Sequence, residues 1–400
     1  MIIHRRTRYA VALTAAFSVL LAGCGGDGDN DAEPEVIVTV DPAASANVPI
    51  PERQFFDDSS PWNQRIDTAR VDPRSDRMIE NAHFRVGVQE RPFGESFEQT
   101  IRIDAGLYIN TDRWTVPVVS GGTPTSLVCR QLVCGDGADT TVLNIPDDVD
   151  PDPRYDGWFT IFDTGSSTAY DLWRARREDD DTISYNYMRK WDLNGPGFSG
   201  PYHEGARGSG LPLFAGLIRP GELQSGEINH ALAISLPGPA AGSFVQPASS
   251  TDGNGRAASV PEGARIRLKR DVVLPPPVDP LTGKVIKLTK QQQRMADAIV
   301  ACLRTYGAIV VDRAAVPTLY AQRDVTGNLI NGNELQGLTL SDFEVLPLGR
   351  SFPYPPDRDT LALIQSGADL FGPESSPSAS PSGSPSPSGS PSTSPSGASR

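Results

Sequence analysis

Four hundred residues with 38 glycines and 36 prolines are one large or two ordinary domains' worth of chain, punctuated often enough by turns to exclude long uninterrupted helices. Apolar residues make up 38%, enough to close a core, so the chain is not disordered throughout. The formal net charge of −13 repels phosphate backbones, and nucleic acid is not an expected partner.

The first residues combine a basic start (Arg5, Arg6, Arg8), an apolar run from Tyr9 to Leu21 and the tetrapeptide Leu21-Ala22-Gly23-Cys24. The run is too short to span a bilayer comfortably, and small residues before a cysteine fit a cleavage site. Residues 1–23 are read as a signal peptide that resembles a bacterial lipoprotein signal, in which Cys24 takes the lipid. The expected location is the extracytoplasmic face of the cell membrane, with the membrane as a partner through that lipid. Removing the three arginines takes the charge to about −16. Residues 24–57 are rich in Gly, Asp, Pro and Ala without sustained periodicity and read as a flexible spacer.

Residues 58–350 alternate short apolar runs with turn signals and predict a β-rich globular domain: WTVPVV at 114–119, GWFTIFD at 157–163, TAYDLWRA at 168–175, HALAISL at 230–236, ARIRL at 264–268 and AIVVD at 308–312. Alternation such as Ala264-Arg265-Ile266-Arg267-Leu268 favours half-buried antiparallel strands in a sandwich or jelly roll with one or two short helices. Thr289 and Gln292 form a capping-box pattern before a helix with Met295, Ile299, Cys302, Leu303 and Tyr306 on one face, and a second helix is expected over Ser75 to Asn81. Cys302 then belongs to the core. Cys129 and Cys134, five positions apart, are expected to form a disulfide in an oxidising compartment. Residues 351–371 are read as an extended C-terminal segment, and the Ser/Pro/Gly run at 372–400 as a disordered or polyproline tail.

The chain has no P-loop, no GxGxxG after a strand, no HExxH, no GxSxG and no D-x-D-x-D-G loop, so no cofactor and no metal is expected. The densest functional patch is Tyr202-His203-Glu204 with Arg207, in a Gly-rich loop that cannot be regular structure. His230 opens a strand, on the same face as Leu232 and Ile234. Asp163 and Asp171 lie on strands rich in aromatics, beside Trp173. Carboxylates beside flat rings are what polysaccharide cleavage needs: one acid protonates the leaving oxygen, another acts as base or nucleophile, and the rings stack on sugars. The candidate catalytic residues are therefore Glu204, His203, Asp163, Asp171 and His230. Tyr202, Arg207 and Trp173 are candidates for substrate binding.

In their order, the blocks SSPWNQRI, VDPRSD, IFD…YDLWRA, GSGLPLFAGLIRPGEL, SGEINHALAISL, FVQPASSTDG, PEGARIRL and LRTYGAIVVDR resemble a family of secreted bacterial proteins, over about residues 59–325. The resemblance implies export and a single β-rich domain, and no reaction. Members commonly carry Trp-Pro-Ala where this chain has Gln246-Pro247-Ala248. They carry a threonine-serine-alanine-aspartate run where this chain has Glu204-Gly205-Ala206-Arg207, while His230 matches. The function expected is a lipid-anchored protein that binds or cleaves polysaccharide, as a glycoside hydrolase or a lyase; the rival is a non-catalytic surface module.

Overall fold

The computed structural model describes residues 53–90, 96–138, 140–279, 281–323 and 326–365. The signal peptide, Cys24, most of the spacer and the Ser/Pro tail lie outside them. The described chain is mainly β, as expected, with 28% strand against 13% helix.

A six-stranded sheet forms the centre, in the order Phe343–Val345, Arg265–Leu268, Ala308–Arg313, Leu232–Leu236, Thr318–Tyr320, Tyr108–Asn110. Its middle strands are buried on both faces, because alternate residues feed two different cores. Leu232, Ile234, Leu236, Ala308 and Val310 pack with Met78, Met295, Ile299 and Leu303 of two helices. Ala233, Ile309 and Val311 pack with Trp62, Trp158 and Phe214 on the other side. A strand covered on both faces reads as a nearly continuous apolar run, which is how HALAISL and AIVVD differ from a half-exposed strand. Leu232–Leu236 and Ala308–Arg313 are parallel neighbours, as are Thr318–Tyr320 and Tyr108–Asn110, so the sheet is mixed.

The second core joins the central sheet to a four-stranded sheet, Tyr187–Asp192, Thr168–Trp173, Phe159–Asp163, Val118–Ser120. The opposite face of that sheet packs Phe159, Ile161, Leu172 and Met188 on a third sheet through Leu127, Ile145, Ile183 and Tyr185. This outer pair of sheets is a small sandwich, and one edge carries the Cys129–Cys134 disulfide.

The helix Lys290–Thr305 starts as its sequence dictates: the Thr289 side chain accepts from Gln292 N–H, and Gln292 returns a bond to Thr289 N–H. Cys302 is buried in its apolar face. The helix Ser75–Ala82 is also in place. Two boundaries move. Phe55 and Phe56, assigned to the spacer, pack against Phe214 in the second core, and Phe56 N–H donates to Leu193 O at 2.7 Å. Within 351–371, expected to be extended, Ser351–Pro353 pairs antiparallel with Ser243–Val245, burying Phe352 on Phe244, and Arg358–Gln365 is helical. In both places bulky aromatics had a core within reach, and burying one ring stabilises by about 2 kcal/mol.

Candidate active site

Two cavities, of about 890 and 470 Å3, share Asp156, Trp158, Asp252, Asp312 and Arg313. The larger extends past Tyr108, Trp114 and Arg113; the smaller past Trp173, Glu204 and Arg207. The shared residues thus sit mid-way along a concave surface with aromatic side chains on both sides.

Asp312 follows the apolar run of the strand Ala308–Arg313, at a bulge opposite Ser235 where the register with Leu232–Leu236 shifts. Bulges re-aim side chains next to functional sites. Asp252 comes from the turn Ser249-Ser250-Thr251-Asp252-Gly253, which is tied to the Gly-rich loop: Ser249 N–H donates to Ser209 O at 2.9 Å, and Ser250 Oγ to Gly208 O at 2.7 Å. Asp252 Oδ2 accepts from Arg313 Nε at 2.8 Å. Glu262 lies behind both. One oxygen of each of these three carboxyl groups lies within 4.8 Å of those of the other two.

Burial raises two of the three. Asp312 is only 8% exposed, and its carboxyl is pushed up to about 7 by burial first and by the charge of Asp252 second, with Arg207 opposing. Glu262 is fully buried, neither of its carboxyl oxygens meets a hydrogen-bond donor, and burial together with Asp252 and Asp312 drives it well above the usual carboxylate range. A proton on Glu262, offered to a neighbouring carboxylate, resolves both the missing donor and the repulsion. Asp156, held in the left-handed region at φ 60°, is also raised by burial, with Arg174 opposing. The three carboxyl groups are close enough to ligate one cation. Arg313 on Asp252, and Arg207 with its Nε 4.0 Å from Asp312 Oδ2, place two positive charges there instead.

Arg207 packs on two rings that are themselves in edge-on contact, its guanidinium carbon 5.0 Å from the centre of the Trp158 ring and 5.3 Å from that of Tyr320. Trp158 is fixed in turn by its indole N–H, which donates to Ala206 O at 3.1 Å. The expected substrate-binding residues Arg207 and Trp173 both line the smaller cavity, as does Glu204.

The other expected residues go elsewhere. Asp163 caps the turn between its strand and the next, accepting from Gly165 N–H and Ser166 Oγ. Asp171 is sealed in the core, where Thr160 Oγ1, Trp191 Nε1 and Leu213 N–H all donate to it. The His203 ring bonds the backbone carbonyl oxygens of Gly200 and Pro201 through Nδ1. Tyr202 packs edge-on against Phe244 and Phe352. His230 lines a separate cavity of about 420 Å3, with Nε2 on Glu222 Oε1 at 2.9 Å and Nδ1 on Ala231 O. Glu222 also accepts from Arg219, and the trio locks a short helix to the central sheet.

Sequence reasoning did not single out Asp252, Glu262, Asp312 or Asp156. Three of them stood inside quoted blocks, at the end of AIVVD, in SSTDG and in PEGARIRL. A carboxylate terminating an apolar run was the available signal, because such a run ends at the rim of the core. No family model, no curated protein and no solved structure matches the chain.

Proposed function

We propose that this chain is an exported, lipid-anchored glycoside hydrolase that cuts polysaccharide within the chain, with Asp312 as the acid and Asp252 as its partner. The observation that carries the reading is the contrast within one pair of carboxyl groups. Asp312 is buried and pushed up to about 7, so it keeps a proton near neutrality, whereas the Asp252 side chain is 37% exposed and ion-paired to Arg313. A buried carboxyl that holds its proton, beside an exposed one paired to an arginine, supplies an acid and a base at one site. Cavities on both sides of the pair suit a polymer that continues past the cleavage point.

The short separation favours retention of configuration. Asp252 attacks the anomeric carbon while Asp312 gives its proton to the glycosidic oxygen, and the carbon–oxygen bond breaks. A water then gives a proton to Asp312 and its oxygen to the anomeric carbon, and Asp252 leaves as carboxylate. Both residues end as they began.

The test is incubation of the full-length chain with neutral and acidic polysaccharides, reading fragments by mass spectrometry. Saturated fragments that disappear with Asp312→Asn support the reading. Unsaturated fragments make the protein a lyase, and retention on a polymer without any fragment makes it a binding module; either overturns hydrolysis.

A further inference from the structure

Resting on the hydrolase reading, we propose that the substrate is an acidic polysaccharide, and that Arg207 receives the carboxylate of a uronosyl residue in the smaller cavity.

Arg207 is a charged side chain with bonds missing. Its side chain is 1% exposed, yet neither Nε nor Nη1 meets an acceptor, and the nearest oxygen of Asp312 lies 4.0 Å from Nε, beyond hydrogen-bond reach. The Trp158 and Tyr320 rings pack against the guanidinium but accept no conventional hydrogen bond from it. A buried guanidinium with N–H groups unpaired is among the more expensive groups a fold can keep. Asp312 does not compensate it while it holds the proton that hydrolysis requires. A substrate carboxylate in the adjoining cavity supplies the missing charge and an acceptor for one of the two unpaired nitrogens, which lie on different edges of the guanidinium, and either edge presents a planar fork that matches that group.

Further arginines line the surface, among carboxylates that include Asp112, Asp156 and Glu204. Arg174 lines the smaller cavity with Arg207, and Arg85 and Arg113 line the larger. Neutral sugars offer only hydroxyl oxygens, which accept more weakly from a guanidinium.

The experiment compares each polyuronate with the same polymer after chemical reduction of its carboxyl groups to hydroxymethyl, using the full-length chain. Length, linkage and stacking faces are kept, and only the charge is lost. The expected result is a kcat/KM at least about tenfold higher on the native polyuronate. Retention of the polymer by the Asp312→Asn protein should show the same preference. Equal cleavage of native and reduced polymers would overturn the inference and leave the hydrolase standing. Cleavage of no polymer at all would remove the hydrolase reading itself. Dextran sulfate, held more tightly than any polyuronate, would assign Arg207 to a sulfate ester and overturn the carboxylate. Arg207→Lys keeps the charge without the fork and should lower the native-to-reduced ratio. If that variant misfolds, the wild-type comparison still decides.

Discussion

Asp171 is the place where the energetics of this fold can be tested most directly. It is completely buried, and burial pushes its carboxyl up to about 6, even though Thr160, Leu213 and Trp191 all donate to it and favour the charged form. A folded-state value two units above the usual carboxylate value is worth about 3 kcal/mol. Because the shift is upward, that stability is fully present below about pH 4 and is lost as pH rises through 6. Asp171→Asn removes the titration. The carboxamide oxygen accepts from Trp191 and Leu213 and its nitrogen donates to Thr160, leaving one N–H unpaired at a cost of about 1 kcal/mol. The variant should therefore be about 1 kcal/mol less stable than wild type at pH 4 and about 2 kcal/mol more stable at pH 8. Urea unfolding of both proteins at the two pH values measures this, since every other titrating group cancels in the difference. A difference that does not move with pH would show that Asp171 is charged in the core and would refute the reasoning. Asp171→Ala, which orphans three donors and leaves a cavity, should cost about 3–5 kcal/mol at either pH.

Hydrolysis should fall tenfold per pH unit above about 7 as Asp312 loses its proton, Asp312→Asn should lower kcat by about 10³-fold, and NMR of early products should show retained anomeric configuration. Burial raises the Glu222 carboxyl, but His230 and then Arg219 outweigh it and hold it at about 2. That stability is present above about pH 4.5 and is lost as pH falls toward 2, so Glu222→Gln should cost about 3 kcal/mol at pH 7 and almost nothing at pH 2, by denaturant titration. Burial pushes the Cys302 thiol far up, and its Sγ donates to His230 O at 3.1 Å. In a Cys24→Ser protein, a thiol reagent should find no reactive cysteine in the native state and one in denaturant.

The parts of the fold that were legible share a physical basis: local sequence determined them. Thr289 and Gln292 cap their helix because the partners are three residues apart, and Cys129 and Cys134 pair across five. Strand pairing was not local. HALAISL and AIVVD lie side by side and parallel only after about seventy residues of chain have returned to the sheet, and nothing in either run distinguishes a parallel neighbour from an antiparallel one. The site followed the same division. Arg207 was picked as a cation in a Gly-rich loop and Trp173 as a ring beside a carboxylate, and both line the smaller cavity. Asp171 misled because a carboxylate between aromatics looks the same in a cleft as in a core; only Thr160, Trp191 and Leu213, brought from three other segments, show that it is sealed. Asp252 and Asp312 come from positions sixty residues apart, so their proximity is a property of the assembled fold.

That assembly leaves its mark on one glycine. A Cβ built at Gly208 would lie 2.3 Å from Asp252 Oδ1 and 2.4 Å from its Cγ, so the loop fits against Asp252 only because position 208 has no side chain. In Gly208→Ala the carboxylate has to move, and its 37% exposed side chain has solvent to move into, so folding should change by less than about 1 kcal/mol. Catalysis has no such freedom. Displacing a reacting group by about 1 Å costs on the order of 10²-fold in rate. Withdrawing Asp252 also removes the charge that helps burial hold Asp312 high, so the alkaline limb of the residual activity should move below pH 7. A purely structural role for Gly208 predicts lost stability with the pH limb unmoved. Unchanged stability, lowered kcat and a limb displaced toward acid together are expected only if Asp252 and Asp312 work as a pair.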